Sequence, residues 1–200
     1  MSYRVQDRIK PKALQGISDE QIRQHWALYE GYVKNVNGLI EDLERAEIGS
    51  RSWAELKRRA GFEFNGMALH EYYFGSLAPG SQLSAQSGLA SELVESWGRV
   101  EVWRQDFAKT GAMRGVGWAI LYRDPMGNRL FNWWIGDHEL NHPAGCHPIL
   151  VLDVFEHAWM VDYGAGGRDE YIKAFLDNVC WEVVEQRHKD SRAGHTPARF

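Results

Sequence analysis

The chain changes its hydrophobic period near residue 113, and this change limits the folds that it can adopt. Before that point apolar residues recur every three or four positions, as on the buried face of an amphipathic helix. After it, the runs GVGWAILY (115–122), RLFNWWI (129–135) and PILVLDVF (148–155) have the apolar, β-branched and aromatic composition of strands. The pattern predicts an α+β fold, with an N-terminal antiparallel helical hairpin followed by an α/β half around a small three-stranded antiparallel sheet.

Two capping boxes mark the predicted hairpin. Ser18-Asp-Glu-Gln21 begins a long helix whose apolar stripe passes through Asn37-Gly38, and Ser52-Trp-Ala-Glu55 begins a second helix that runs to Gly75. A short polar turn between them favours an antiparallel arrangement. Further helical periodicity covers 84–113 and 169–188.

These signals also predict the domain boundaries. We expect a helical-hairpin domain over residues 1–80 and an α/β domain over residues 84–188. Residues 189–200 are expected to form a disordered tail, because SRAGHTPARF is polar and contains Gly and Pro.

Charge and composition argue against several classes of protein. A net charge of -4 gives no basic surface for nucleic acid, and no apolar run approaches the roughly 20 residues that a membrane span needs. The N-terminus lacks the apolar segment of a secretory signal. The two cysteines, Cys146 and Cys180, have no CxxC spacing, so we expect neither a disulfide framework nor a zinc ribbon, and a cytoplasmic location.

A carboxylate and an imidazole meet at the end of the last predicted strand. Asp153 leaves a buried apolar run, where an unpaired charge costs several kcal/mol. A metal ion would remove that cost, and His157, four residues later, could reach the same ion. The Asp-x-x-x-His spacing is weak by itself, because many proteins match it by chance.

The residues around this pair resemble a known family. LDVFEHAWMVDY (152–163) is similar to the C-terminal signature of iron/manganese superoxide dismutases, Asp-Val-Trp-Glu-His-Ala-Tyr. His25 with Tyr32, FEFNGMALHEYYF around His70, and GVGWAIL match other segments of that family in the same order. The resemblance extends from about residue 16 to 185.

The resemblance implies a metal centre and an activity. His25, His70, Asp153 and His157 match the family's ligands, which hold one iron or manganese ion per subunit, and we lean slightly to iron. The implied activity is dismutation of superoxide to dioxygen and hydrogen peroxide in a homodimer or homotetramer. The alternative is a homologue that keeps the metal in a structural or storage role and has lost turnover.

The resemblance also implies roles around the ligands. Tyr32 matches the tyrosine beside the substrate channel, and His138 matches a residue that hydrogen-bonds the metal's solvent ligand, since Gly66 and Met67 offer no side-chain donor at the family's other position for this group. Histidines 142 and 147 are assigned to loops. The expected aromatic wall and subunit interface comprise Trp118, Phe74 and Phe155, with Glu156 and Arg168 at the interface.

Three departures from the family pattern leave questions open. His25 and Tyr32 are seven residues apart where most relatives have eight, so an ungapped alignment would make Gln24 the ligand. Leu28 and Met160 replace a His and Tyr pair that usually forms across the dimer, which leaves the catalytic rate open. Phe155 stands where the signature has Trp, a mild change within an aromatic wall.

Overall fold

The N-terminal half is the expected helical hairpin. The computed structural model describes residues 2–200, and α1 (Asp19–Arg45) and α2 (Arg51–Gly75) pack side by side along their length. Ser18 caps α1 by accepting a hydrogen bond from the Gln21 amide. Ser50, rather than the predicted Ser52, caps α2 through the Trp53 amide, two residues earlier than the sequence pattern suggested.

The two other predicted helical segments, 84–113 and 169–188, each form two helices in the structure. Gly98 separates the two helices of the first segment with a φ of +79°, a left-handed conformation that ends a helix and favours glycine. Asn178 separates the second pair, and its side chain donates hydrogen bonds to the carbonyls of Gln15 and Ala174. The helices of this half are α3 (Gly88–Trp97), α4 (Val100–Gly111), α5 (Met160–Tyr163), α6 (Arg168–Asp177) and α7 (Trp181–Arg192).

The predicted three-stranded sheet is confirmed. Its strands are β1 (Gly117–Asp124), β2 (Arg129–Gly136) and β3 (His147–Asp153), in the order β2-β1-β3 with both pairs antiparallel. The central strand β1 is buried almost throughout. Its register places Trp118 directly opposite Asp153, so the strand end that carries the candidate ligand has an aromatic neighbour.

One continuous apolar core joins the two halves. Trp26 of α1, Phe74 of α2, Trp118 of β1 and Phe175 of α6 are all at most 2% exposed. Because α2 packs against β3, the candidate ligands of the two halves face one another. Within residues 2–200, no helix has both the length and the apolar character needed to cross a membrane.

The end of the chain differs from the predicted disordered tail. Helix α7 continues to Arg192, and the residues after it lie against α2. The Pro197 carbonyl accepts a hydrogen bond from Tyr72, and the Arg199 guanidinium lies 2.8 Å from the Glu71 carboxylate. Composition did not predict these contacts, because they include bonds to backbone groups. The buried Arg187 side chain donates to the carbonyls of residues 198 and 199.

Candidate metal centre

Four side chains from distant parts of the sequence meet at one point. His25 lies on α1, His70 on α2, Asp153 at the end of β3, and His157 in the 3-10 turn Glu156–Ala158. Their ligating atoms all lie within 4.8 Å of one another. The Nε2 atoms of His25 and His157 are each 3.1 Å from Asp153 Oδ2, and that of His70 is 3.6 Å from it. The first three residues are fully buried.

Two ring nitrogens of these histidines have no hydrogen-bond partner within residues 2–200. His70 Nδ1 donates to the Gly66 carbonyl at 2.5 Å, so His70 Nε2 carries no proton and points its lone pair into the cluster. That atom is buried and has no hydrogen-bond partner within residues 2–200, and the same holds for His25 Nδ1. Unpaired buried polar atoms are costly, and a cation at the centre would satisfy the lone pair of His70 Nε2.

The protonation states also suit a cation. Burial lowers the pKa of His25 and lowers that of His70 well below its usual value, which keeps both imidazoles neutral. Burial alone would raise the pKa of Asp153, but contacts with His157 and His25 outweigh it and hold that pKa well below the usual value. Neutral imidazoles with one carboxylate fit iron or manganese, and also admit zinc or copper.

The structure places His25, and not Gln24, in the cluster. The ring centroid of His25 lies 4.9 Å from that of Phe74 and 5.0 Å from that of His70. Gln24 is exposed and donates to Glu20 on the surface of α1. Residues seven apart on a helix lie nearly on one face, which brings Tyr32 to the same side, with its ring 5.3 Å from that of His70.

His138 and Tyr32 form a hydrogen-bonded pair beside the four residues. Trp118 Nε1 donates to His138 Nδ1 at 3.0 Å, so the neutral imidazole carries its proton on Nε2 and donates to the Tyr32 hydroxyl oxygen at 2.6 Å. Burial lowers the pKa of His138 to about 4, which keeps it neutral. Burial and the nearby Asp153 charge raise the pKa of Tyr32 to about 12.

Aromatic rings enclose these groups. The Phe155 ring is stacked on both His138 and His157, with centroid separations of 4.8 Å and 5.0 Å. Trp118 packs edge-on to His70 at 5.1 Å. Together with Phe74, these rings pack around the imidazoles and limit their movement.

Comparisons with known proteins agree with this geometry. Residues 85–187 match the family model of the iron/manganese superoxide dismutases, C-terminal domain. The chain is 37% identical over 190 residues to a superoxide dismutase [Fe] of Aquifex aeolicus, covering 90% of this chain and 88% of that protein. The chain belongs to the iron/manganese superoxide dismutase family.

Other relatives in the dismutase family are named for either metal. A superoxide dismutase [Fe] of Cupriavidus metallidurans is 35% identical over 184 residues, which cover 89% of this chain and 91% of that protein. A superoxide dismutase [Mn] 2 of Haloferax volcanii is 31% identical over 171 residues, which cover 84% of each chain. The names of these relatives therefore do not select one metal for this member of the family.

The two residues expected at the subunit interface lie outside the cluster of four. Glu156 is exposed beside His157, in a surface that includes Leu28 and Met160, each more than 40% exposed. Arg168 donates to the carbonyls of Gly111 and Gly115. Neither Glu156 nor Arg168 is among the four residues of the cluster, and their place at an interface stays a prediction.

Two supporting residues of the dismutase site were missed in the sequence. Gln21, read only as part of a capping box, donates to the His157 carbonyl and accepts from the Val161 amide, which ties α1 to the turn carrying His157. Gly66 holds His70 through its carbonyl, and a Cβ at Gly66 would lie 2.5 Å from the Tyr32 ring. A glycine in the middle of a helix was the available signal for the second role.

Proposed function

We propose that this protein is a superoxide dismutase, which converts two superoxide ions and two protons to one dioxygen and one hydrogen peroxide. The observation that carries the proposal is the convergence of four ligating atoms to within 4.8 Å in a member of this family. His25, His70, Asp153 and His157 would hold the metal. When bound, iron or manganese would supply the one-electron redox chemistry that dismutation requires.

Tyr32 and His138 would manage protons beside the metal. Because the Tyr32 oxygen accepts from His138, its own hydroxyl hydrogen remains free to be donated toward the site. A pKa of about 12 keeps that proton on Tyr32 at neutral pH. The pair therefore provides a fixed donor where superoxide must gain protons before it leaves as peroxide.

The direct test is activity together with metal content. Protein loaded with iron or with manganese should inhibit cytochrome c reduction by xanthine oxidase. His70→Ala and Asp153→Ala should lose both the metal and the activity, because each removes a ligand. His147→Ala, which changes a histidine outside the cluster, should retain both.

Two results would contradict the proposal. Full metal occupancy in either ligand variant would refute the ligand set. A wild-type protein that binds metal and shows no dismutation would instead favour the structural or storage role. The Tyr32–His138 pair supports turnover over that role, because holding a metal does not need a proton donor beside it.

We lean to iron over manganese as the native metal. The support is that the relatives at 37% and 35% identity are named as iron enzymes. Metal analysis of protein purified from its own source, followed by activity with each metal after reconstitution, decides the matter. Activity with manganese alone would overturn the choice.

We further propose that the protein is at least a homodimer, joined at the surface around Glu156. His157 is the only one of the four ligands that is partly exposed there, at 23% of its side chain. Leu28, Met160 and Val161 surround it with exposed apolar groups, and apolar surface of this kind is typical of an interface.

The interface proposal predicts a linked loss. Glu156 would accept a hydrogen bond from the partner's His157, so Glu156→Ala should weaken both the dimer and metal retention. Sedimentation at micromolar concentration gives the mass and separates a dimer from a tetramer. A fully active monomer would contradict this arrangement.

We also place the protein in the cytoplasm. The support is that Cys146 and Cys180 are both free thiols, which a reducing compartment preserves. Fractionation of the source cells tests this location.

A further inference from the structure

The loop that carries His138 is held by contacts outside the metal cluster. His138 lies in the loop between β2 and β3, where the backbone groups of Gly136 and Leu140 exchange two hydrogen bonds. Asp137 takes a φ of +47° to make this tight turn. These bonds fix the turn at Gly136 and Leu140. The His138 carbonyl between them is held by a separate contact.

His142 supplies that contact. Its Nε2 lies 2.8 Å from the His138 carbonyl oxygen, which can only accept, so His142 donates through Nε2. The neutral ring therefore has an unprotonated Nδ1, and this atom lies 2.7 Å from the Tyr122 hydroxyl, which donates to it. The chain of bonds runs from Tyr122 through His142 to the backbone of His138.

The same strand holds His138 at two points. Trp118 and Tyr122 are four residues apart on β1, whose pairing with β2 is regular between them, so both lie on one face. Trp118 bonds the His138 ring, and Tyr122 acts through His142 on the His138 carbonyl. Hydrogen bonds from β1 thus hold both the ring and, through His142, the backbone of His138. The same strand also pairs with Asp153.

We propose that His142, backed by Tyr122, is a positioning residue that sets the distance and orientation of His138 toward Tyr32 and the metal cluster. The inference rests on the proposed function, because positioning matters only if His138 takes part in turnover. It predicts that removing the bond from His142 lowers turnover while the four ligands keep their metal.

The test compares four variants of the metal-loaded protein. His142→Leu removes both hydrogen bonds, His142→Gln keeps a donor and an acceptor in one amide group, and Tyr122→Phe removes only the outer hydroxyl. His147→Leu is the matched control, since it removes a partly buried histidine bonded to Ser191 rather than to the loop of His138. For each we would measure metal content, turnover, and hydrogen–deuterium exchange of the peptide covering residues 136–146.

We expect faster exchange in that peptide and a turnover about three- to tenfold lower in His142→Leu, because, of its two lost bonds, the one to the His138 carbonyl positions His138 and is an ordinary hydrogen bond. Metal content should stay at the wild-type level. Tyr122→Phe should show the same changes to a smaller extent, and His142→Gln should recover most of both. His147→Leu should leave exchange and turnover unchanged.

Two outcomes would overturn the inference. Either His142→Leu behaves like His147→Leu, or the loop exchanges faster while turnover stays the same. A wild-type protein without dismutase activity would be a failure of the proposed function instead, and the exchange comparison would still show whether His142 fixes the loop.

Discussion

Two buried clusters in this protein combine histidine with a carboxylate, and they solve the problem of buried charge differently. Around Asp153 lie three imidazoles and no permanent cation, and two of the ring nitrogens have no hydrogen-bond partner within residues 2–200. Around Glu92 lie Arg123, with Nε 3.0 Å from the carboxylate, and His188, with Nε2 2.7 Å from it.

The second cluster is complete without a ligand. The Arg123 guanidinium balances the charge of Glu92, and its remaining nitrogens donate to Asn128 and to the Ser191 carbonyl. The comparison teaches that histidine and carboxylate in a buried site do not by themselves indicate a metal. The distinguishing features around Asp153 are the missing cation and the unpartnered Nε2 atom of His70, 3.6 Å from the carboxylate.

The largest expected effect comes from breaking the Glu92 cluster. Arg123→Met leaves Glu92 buried without its cation, so the free energy of unfolding should fall by about 3–5 kcal/mol. Metal content should not change, because the two clusters share no residue. Denaturant unfolding and metal analysis measure the two effects.

A double variant provides the control for this prediction. Glu92→Leu combined with Arg123→Met removes both charges and should recover most of the lost stability. Loss of metal in Arg123→Met, at a concentration of denaturant where the protein is still folded, would show that the two clusters are coupled and would break the comparison.

The Asp153 cluster should depend on metal in a way that the Glu92 cluster does not. Metal at about 1,000 times its dissociation constant stabilises the folded state by about 4 kcal/mol. Its removal by a chelator should then lower Tm by about 8–16 °C in a chain of this size. Asp153→Asn should show no such difference between loaded and chelated samples.

Glu92→Gln is the matched control for this second prediction. It changes another buried carboxylate, so its Tm should be lower than that of the wild type, but the difference between loaded and chelated samples should be preserved. An equal loss of metal dependence in both variants would contradict the distinction.

His138→Ala sharpens the comparison at the edge of the metal cluster. The ligands are untouched, so metal content should be normal, but turnover should fall about three- to tenfold, since the lost hydrogen bond to the neutral Tyr32 hydroxyl contributes about 0.5–1.5 kcal/mol. The same loss would shift the one-electron midpoint potential by about 20–65 mV. Stopped-flow assay and redox titration measure these; wild-type values for both would make His138 an ordinary loop residue.

The smallest effect is a change in the pH dependence of stability. Burial lowers the pKa of His188 below its ordinary 6.5, and the Glu92 bond offsets this only in part. The unfolded chain therefore binds the proton more readily, so stability falls as the pH drops below 6.5. His188→Asn should make that decline shallower.

Measuring this pH dependence of stability with and without metal tests whether the two clusters act independently. Since His188 does not touch the Asp153 cluster, the difference between wild type and His188→Asn should be the same in loaded and chelated protein. A difference confined to loaded protein would mean that His188 acts through the metal.

The fold was predictable from sequence wherever the signal is local. The capping box at Ser18 and the strand-like runs gave α1 and the three strands, because period and capping depend only on neighbouring residues. The break at Asn178 was missed, since it depends on a bond to the Gln15 carbonyl from a different part of the chain.

The candidate site was likewise predictable only in part. The family resemblance singled out His25, His70, Asp153 and His157, and the structure brings these four together. The bonds of His70 to the Gly66 carbonyl and of His142 to the His138 carbonyl were not predictable, because a backbone carbonyl has no side-chain identity for a sequence to reveal.

The distance between the ligands along the chain has a consequence for biosynthesis. Asp153 follows His70 by 83 residues, so at about 5–20 residues per second a ribosome needs several seconds to add it after His70. During that interval the nascent chain offers two imidazoles and no carboxylate ligand. A metal ion could therefore be held by all four side chains only once the polypeptide is nearly finished.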